Sequence, residues 1–439
     1  MLFKAGLCSV ISLCNIGLHS SAFGHTCNAV RSTLSKCTSA NLFSWPCFKP
    51  LKDYDSRSIM VSSVTSNPKT DSTSQNSRKK DHWSSNGCQK YSTAVDPGYR
   101  GENMEFSEGR SVLLPSGHRM PLVGLGTWQA KDEEVEAAVS EALSAGYRHF
   151  DTAFNYGNEY AIGRVFKRWI NDKDHLRSDL FVTTKLPVFG NRPGDVEKYL
   201  TESLRRLQLD FVDLYLIHMP FALMPNKNGD NFEANEDGSP VLDPSLDHQK
   251  LWKALEAQVD AGRAKSIGVS NFNARQVANI SAIARHPISC IQVELHAVNQ
   301  QKDLRRDCAK CCPNIAFTAY SPLGSPAAPQ HFQNKYGYSI KQTSAGLLSN
   351  PLVVEIASTY KKSPAQILLR HHVQQGIIVI PKSVSPARIQ QNHEVFDFCL
   401  SEDDMKKLNN LDQGEEGRTF NFLFFKGVEN HPEYPFGKN

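Results

Sequence analysis

Several features that would define other protein classes are missing from this chain of 439 residues. No apolar run reaches the roughly 18–20 residues that a helix needs to span a bilayer, so the sequence does not indicate a transmembrane protein. The net charge of +4 is small for this length and gives no sign of a nucleic-acid-binding surface. Cys308, Cys311 and Cys312 lie together, but no second pair at zinc-ligand spacing follows them, so we predict no metal site.

A glycine-rich phosphate-binding motif is also missing. The stretch VGLG at 123–126 is the nearest candidate, but it lacks the later glycine of a GxGxxG motif. The sequence therefore does not indicate a Rossmann domain, in which that motif joins the first strand to the following helix.

The first 105 residues differ in composition from the rest, and we predict that they form a separate extension. Residues 1–52 contain no Asp or Glu, and residues 61–95 are rich in Ser, Thr and Asn, which is typical of a disordered linker. The acid-free start fits a mitochondrial transit peptide, the apolar segment 7–18 also fits a secretory signal, and untargeted sequence is a third interpretation. We expect a cytoplasmic protein, with mitochondrial targeting as the alternative.

From about residue 106 the pattern changes, and short apolar runs alternate with helical stretches. The segment VLLPSGHRMPLVGLG predicts a β-hairpin, because Ser-Gly stands between two apolar runs. Eight strand candidates then cover 122–126, 148–152, 180–185, 211–218, 265–271, 290–296, 315–320 and 376–383. Predicted helices include 132–146, 195–208, 247–262 and 350–362, with an additional one at 401–411.

Eight alternating units favour one closed α/β domain over an open sheet. Strands that are apolar on both faces are typical of a parallel sheet covered by helices. We therefore predict that residues 106–439 form a (β/α)8 TIM barrel, which begins with the hairpin and follows a disordered extension at 1–105.

Polar residues stand near the ends of the predicted strands. In such barrels the chemistry takes place at the C-terminal ends of the strands, so we expect these side chains to meet at one mouth. They are Asp151, Lys185, His218, Ser270, Asn271, Gln292, Glu294, Tyr320, Lys382 and Ser383.

Tyr156, in the loop after the second strand, suggests a specific chemistry. A tyrosine has an ordinary pKa near 10 and is a poor acid–base catalyst at neutral pH unless a nearby cation favours its phenolate. Lys185 would supply that cation, and Asp151 would keep a buried Lys185 charged. His218 would bind a substrate carbonyl. This arrangement would protonate an oxygen while another group delivers hydride.

Four long motifs resemble the aldo-keto reductase superfamily, with the closest similarity to its aldehyde reductase and aldose reductase branch. They are GYRHFDTAFNYGNE at 146–159, DLYLIHMP at 213–220, IGVSNF at 267–272 and IPKSVSPARIQQN at 380–392. The resemblance implies a catalytic tetrad of Asp151, Tyr156, Lys185 and His218. It implies NADPH-dependent reduction of aldehydes and ketones to alcohols, with hydride from C4 of the nicotinamide and a proton from Tyr156.

The resemblance also implies a binding site for NADPH. Tyr320 would stack on the nicotinamide, its carboxamide would bind Ser270, Asn271 and Gln292, and the ribose would lie near Thr127 and Asp151. The pyrophosphate would lie along Ser321, Leu323 and Ser325. The 2′-phosphate end would be held by Lys382, Ser383, Val384, Arg388, Gln391 and Asn392.

The basic residues of this last group suit a 2′-phosphate. Lys382 and Arg388, beside Ser383 and the amides of a helix start, can bind a doubly charged anion. An NAD-specific site would instead place an acid near the ribose hydroxyl. The sequence therefore favours NADPH over NADH.

The substrate pocket departs from the family pattern. Met219 follows the catalytic His, and Pro187 follows the Lys-Leu pair, where relatives usually carry Trp. Trp128 and the C-terminal loop at about 414–435 would complete the pocket, together with Tyr156 and His218. We expect the loss of two aromatic walls to alter substrate selection without abolishing the chemistry.

Two other functional classes are alternatives to this interpretation. Some relatives serve as channel-associated or lens structural proteins, so a nucleotide-binding structural or regulatory protein with little turnover is the main alternative. A metal-dependent barrel hydrolase would need clustered His and carboxylate ligands, but only His218 and His296 stand at the predicted strand ends. We expect a monomer that acts on a small-molecule carbonyl and binds neither nucleic acid nor membrane.

Overall fold

A computed structural model describes residues 106–107, 110–172 and 174–436 of the chain. The extension predicted at 1–105, with its expected disorder or targeting role, lies outside the described residues. Within the described part of the chain, no helix is both long and apolar enough to cross a bilayer.

The described region begins with the predicted hairpin. Three short antiparallel strands form a small sheet: β1 (Phe106–Ser107), β2 (Ser111–Leu113) and β3 (Arg119–Pro121). The turn between β2 and β3 places Gly117 at a φ of +84°, a conformation that glycine adopts without steric cost. The prediction of a hairpin is confirmed, and β1 adds a third strand to it.

Eight parallel strands form the main sheet, in the sequential order that the alternating pattern predicts. They are β4 (Leu125–Gly126), β5 (His149–Asp151), β6 (Phe181–Leu186), β7 (Val212–Ile217), β8 (Ala264–Ser270), β9 (Cys290–Glu294), β10 (Ala316–Tyr320) and β11 (Ile378–Val379). Parallel bridges also join Val123 to Val379 and Gly126 to Lys382, so the first strand meets the last. The sheet therefore closes on itself, and the predicted (β/α)8 barrel is confirmed.

Gly126 stands at this closure. A Cβ atom at this position would lie 2.6 Å from the carbonyl oxygen of Ile380, which is closer than a side chain can approach. The absence of a side chain thus lets the first and last strands come together at the mouth of the barrel.

Helices cover the outside of the barrel. They are α1 (Asp132–Ser144), α2 (Glu159–Ile170), α3 (Val196–Leu207), α4 (His248–Asp260), α5 (Ala274–Ser281), α6 (Lys302–Cys311), α7 (Ala328–Tyr336), α8 (Pro351–Tyr360), α9 (Pro364–Val373), α10 (Pro386–His393) and α11 (Glu402–Asn409).

The helix boundaries follow from the capping residues. The side chain of Asp247 accepts hydrogen bonds from the amides of Gln249 and Lys250 in the first turn of α4. Ser401 accepts one from the amide of Asp404 in the acidic first turn of α11. Gly146, with a φ of +96°, follows α1. The five predicted helices are thus present, each within two residues of the predicted boundaries or slightly shorter.

Candidate active site

Three side chains at the ends of β5 and β6 form a hydrogen-bonded chain. Lys185 lies on β6 and is fully buried; its Nζ donates to Asp151 Oδ1 at 2.5 Å and to the carbonyl of Thr152 at 2.9 Å. The same Nζ lies 3.2 Å from the hydroxyl of Tyr156. The sequence prediction that Asp151, Lys185 and Tyr156 lie together is thus matched by the geometry.

The position of Tyr156 depends on the local fold of the loop after β5. It is the last residue of a 3₁₀ turn, Phe154–Tyr156, and its amide donates to the carbonyl of Ala153 at 3.0 Å. Gly157 ends the turn at a φ of +74°. The side-chain amide of Asn158, which is buried, donates to the carbonyls of Thr127 and Ala130 and joins this loop to the one after β4.

Burial and charge shift the pKa values of this cluster. Burial disfavours a charged Lys185, but Asp151 and Tyr156 favour it more strongly, so the pKa of Lys185 is raised above 10.5. Burial raises the pKa of Tyr156 above 10, and the opposing effect of Lys185 does not offset it. The expected cation is therefore present, but Tyr156 remains a neutral phenol and carries a proton at neutral pH.

His218 stands across the mouth from Tyr156. The two rings meet edge to face with their centroids 5.8 Å apart. Burial, together with the charge of Lys185, holds the pKa of His218 well below 6.5, so its imidazole is neutral at physiological pH. A neutral imidazole beside a phenol can orient an oxygen that both groups contact.

Polar side chains from the next strands continue this mouth. Gln292 on β9 donates from Nε2 to Asp151 Oδ2 at 2.7 Å, so both oxygens of Asp151 are bound. Asn271, at a φ of +67° just after β8, donates to Ser270 Oγ at 3.1 Å and accepts from the hydroxyl of Tyr320 at 2.9 Å. Thr127 Oγ1 donates to the backbone carbonyl of Asp151.

A turn after β10 leads away from this mouth. Ser321 and Ser325 have positive φ angles, and their hydroxyls are 2.6 Å apart. Gly324 lies between them, and its carbonyl accepts a hydrogen bond from the hydroxyl of Ser344 at 2.8 Å. These contacts hold the segment that carries Ser321, Leu323 and Ser325 along the rim.

The far end of the site lies after β11. Lys382 and Arg388 are exposed, and α10 begins four residues after Lys382 at Pro386. Ser383 Oγ accepts a hydrogen bond from the amide of Ser385 at 3.1 Å. Basic side chains and the start of a helix thus lie together, an arrangement that attracts anions.

All of these parts line one cavity of about 810 Å³. Every predicted cofactor residue lies on its wall: Thr127, Asp151, Ser270, Asn271, Gln292, Tyr320, Ser321, Leu323, Ser325, Lys382, Ser383, Val384, Arg388, Gln391 and Asn392. Tyr156 and His218 line it as well, whereas Lys185 stands behind Asp151 and Tyr156 without reaching the wall. The volume lies within the range of roughly 300–1,000 Å³ that is common for ligand pockets.

The predicted substrate residues are only partly brought together. Trp128 and Met219 line the cavity, and the carbonyl of Met219 is held by the side-chain amide of Asn191 at 2.8 Å. Pro187 does not line it, because it is buried at the start of the short 3₁₀ turn Val188–Gly190. The prediction that Pro187 is one of the substrate-binding residues is therefore corrected.

The pocket is also more aromatic than the sequence suggested. Six further aromatic side chains line the cavity: Phe332, Tyr336, Phe420, Phe422, Phe424 and Phe425. Phe332 lies 4.7 Å from Phe424 and 6.0 Å from Trp128, measured between ring centroids. The expected loss of aromatic walls is thus offset from α7 and the C-terminal loop, and the run FNFLFF at 420–425 was the signal for it.

Metal chemistry has no donor set in the described residues. No group of three or more His, Cys, Asp or Glu side chains there has an arrangement that could hold a metal ion. Near the mouth, His296 Nε2 lies 3.0 Å from Glu294 Oε1, whereas His218 lines the cavity and faces Tyr156.

Comparisons with known proteins agree with this geometry. A sequence model of the aldo/keto reductase family matches residues 122–413. The chain is 42% identical over 336 residues to aldo-keto reductase family 1 member A1-A of Danio rerio, covering 74% of this chain and 98% of that protein. It is 44% identical over 304 residues to the member A1 protein of Homo sapiens, covering 69% and 89%.

A solved structure gives the same result. The aldose reductase from Schistosoma japonicum is 38% identical to this chain, with a TM-score of 0.65 over 74% of this chain and 98% of that one. The family model and these alignments span the barrel. Sequence identities of 38%, 42% and 44% are higher than a shared fold alone requires. The chain therefore belongs to the aldo/keto reductase family and is an NADP-dependent oxidoreductase.

Proposed function

We propose that this protein reduces aldehydes and ketones to alcohols with NADPH and that Tyr156 donates the proton. The observation that carries the proposal is the buried chain from Asp151 through Lys185 to Tyr156, with Nζ 2.5 Å from Asp151 and 3.2 Å from the phenol. The chain ends at the wall of the cavity, where Tyr156 faces His218.

The charges of the cavity suit NADPH as the cofactor. Among the described residues that line it, Asp151 is the only acid, and its charge is paired with Lys185. Lys335, Lys382 and Arg388 are basic residues on the same wall. Lys382, Ser383 and Arg388 would hold a 2′-phosphate, and Tyr320 offers a ring to the nicotinamide. When bound, the cofactor would supply the hydride.

The residues of this chain then perform the remaining work. His218, neutral and facing Tyr156, would hydrogen-bond the carbonyl oxygen and fix its orientation. Tyr156 holds a proton and would donate it as negative charge develops on that oxygen. Lys185 would stabilise the phenolate left behind, and Asp151 would keep Lys185 charged throughout.

The compartment, the oligomeric state and the domain boundary are further parts of the proposal. We propose a monomeric, cytoplasmic enzyme whose catalytic unit begins at about residue 106. These points rest on the sequence pattern. Cell fractionation would test the cytoplasmic location, with a mitochondrial location as the alternative.

The experiment is a turnover assay on the full chain. NADPH oxidation is followed by the absorbance of the reduced nicotinamide with a panel of aldehydes and ketones, and then repeated with NADH. Turnover that is faster with NADPH supports the proposal. Tight NADPH binding without turnover of any carbonyl would overturn it and favour a nucleotide-binding structural or regulatory role.

A further inference from the structure

Glu294 is a fully buried carboxylate that the proposed chemistry does not use. It is the last residue of β9 and lies two positions after Gln292, so both side chains leave the strand on the same face. Gln292 lines the cavity and contacts Asp151, which places Glu294 one layer further toward the mouth.

The C-terminal loop supplies most of the hydrogen bonds to this carboxylate. The amide of Thr419 donates to Oε1 at 2.9 Å and to Oε2 at 3.1 Å, and the amide of Phe420 donates to Oε2 at 2.8 Å. His296 adds a bond from Nε2 to Oε1 at 3.0 Å. Burial acts to raise the pKa of Glu294, but His296, the charge of Arg418 and the amide of Phe420 together lower it below its ordinary value, so the group is ionised.

The residue anchored in this way is central to the aromatic wall. The ring of Phe420 lies 5.8 Å from Tyr320, 6.1 Å from Trp128 and 5.9 Å from Phe332 between centroids. Tyr320 belongs to the proposed nicotinamide site and Trp128 to the substrate side. Phe420 therefore stands where the two halves of the cavity meet.

The preceding turn of the loop fits tightly against the barrel. A Cβ atom on Gly417 would overlap the carbonyl of Val298, so only glycine allows this approach. The carbonyl of Gly417 accepts from the hydroxyl of Thr343, which also lies 3.1 Å from the hydroxyl of Thr419. The loop thus reaches Glu294 in a fixed register.

We propose that Glu294 is a positioning residue for substrate selection, which fixes Phe420 and the C-terminal loop as one wall of the substrate pocket. The inference rests on the proposed reductase function. In this role Glu294 contacts neither substrate nor cofactor. Its carboxylate acts through the backbone amides of Thr419 and Phe420. Loss of the carboxylate should loosen this wall and leave the proton-donating chain intact.

A matched control exists at the opposite end of the barrel. Glu256 on α4 is also buried, and its Oε1 accepts from two consecutive backbone amides, those of Arg285 at 2.6 Å and His286 at 2.9 Å. These amides precede β9, whereas the cavity lies beyond its end. Glu294→Ala and Glu256→Ala each leave two neighbouring amides without their acceptor, but only Glu294→Ala does so at a residue, Phe420, that lines the pocket.

The experiment compares both variants of the full chain with two substrates, a bicyclic aromatic aldehyde and propanal. For Glu294→Ala we expect the ratio of kcat/KM for the aromatic aldehyde over propanal to fall by roughly tenfold, through KM, as for a lost hydrogen bond to a charged group. NADPH affinity and the kcat for propanal should change little. Glu256→Ala should lower the melting temperature but keep the wild-type ratio.

Hydrogen–deuterium exchange provides a readout that does not depend on turnover. The amides of residues 419–425 should lose protection in Glu294→Ala and keep it in Glu256→Ala. Gly417→Ala displaces the same loop without removing the carboxylate and should give the same change in substrate ratio. This variant replaces Glu294→Ala in the test if Glu294→Ala does not fold.

The possible failures are distinguishable. A wild-type protein that reduces no carbonyl would overturn the proposed function, and the exchange experiment would still decide whether Glu294 holds the loop. With an active wild type, a wild-type substrate ratio in Glu294→Ala would overturn this inference alone, as would a wild-type ratio in Gly417→Ala where Glu294→Ala does not fold.

Discussion

The ammonium group of Lys185 lies 3.2 Å from the hydroxyl of Tyr156, and the two side chains come from different strand–loop units of the barrel. The lysine is fully buried and forms an ion pair with Asp151. This contact places a cation beside a phenol that is still protonated, which is the electrostatic condition for a tyrosine to give up its proton on demand.

The pH dependence of reduction follows from the pKa of Tyr156. Because burial raises this pKa above 10, the phenol is protonated at neutral pH and stays so as the solution becomes moderately basic. The rate of carbonyl reduction should therefore be flat around neutral pH and fall only as the pH rises through the pKa of Tyr156. A pH profile of kcat/KM with NADPH saturating checks this. A fall in rate centred well below 10 would contradict it.

The buried ion pair of Asp151 and Lys185 should contribute to the free energy of unfolding as a coupled unit. Asp151→Asn leaves the ammonium of Lys185 buried beside a neutral amide, and breaking such a pair costs about 3–5 kcal/mol. Lys185→Met should likewise destabilise, because it leaves the carboxylate without its cation. The double variant should lose less than the sum of the two single losses in the free energy of unfolding, measured by denaturant titration. Additive losses would show that the two groups do not depend on each other.

The preference for NADPH over NADH should depend on Lys382. Lys382→Ala removes a cation from the proposed 2′-phosphate site, so the dissociation constant for NADPH should rise roughly tenfold, while that for NADH should change little. Fluorescence titration with each cofactor measures both constants. Lys426→Ala, a charge change at an exposed residue that does not line the cavity, is the control. Equal weakening of both cofactors by Lys382→Ala would remove the 2′-phosphate assignment.

Much of the fold and the polar part of the site could be predicted from the sequence. Strand periodicity gave the eight strands, and the rule that parallel strands end at one mouth brought Asp151, Lys185 and His218 together. Gln292 and Asn271 were placed near the mouth in the same way. These predictions succeeded because a residue at a strand end has its position set by the strand itself.

The aromatic wall could not be predicted in this way. Phe332 and Phe424 belong to α7 and to a loop without periodicity, so no repeat pattern indicates which way their rings face. The course of that loop is fixed by tertiary hydrogen bonds, such as the one from the amide of Thr419 to the carboxylate of Glu294, 125 positions away in sequence. For the same reason the burial of Pro187 was missed, because the course of the chain after β6 is set by tertiary packing.

The direction in which the pKa of Tyr156 is shifted could not be predicted from the sequence either. The residue types indicated a cation that would favour the phenolate, and that cation is present in Lys185. The larger effect is burial, which favours the neutral phenol. How deeply a loop residue is covered depends on the surrounding elements, so this balance required the structure.

The most direct test of the account is the turnover of Tyr156→Phe beside that of the wild type. The account predicts that the variant loses about 10²–10⁴-fold in carbonyl reduction, because the general acid is removed, while its affinity for NADPH is almost unchanged. Tyr160→Phe, which alters an exposed tyrosine on α2, should retain full activity. Near wild-type reduction by Tyr156→Phe would contradict the central claim that this phenol is the proton donor.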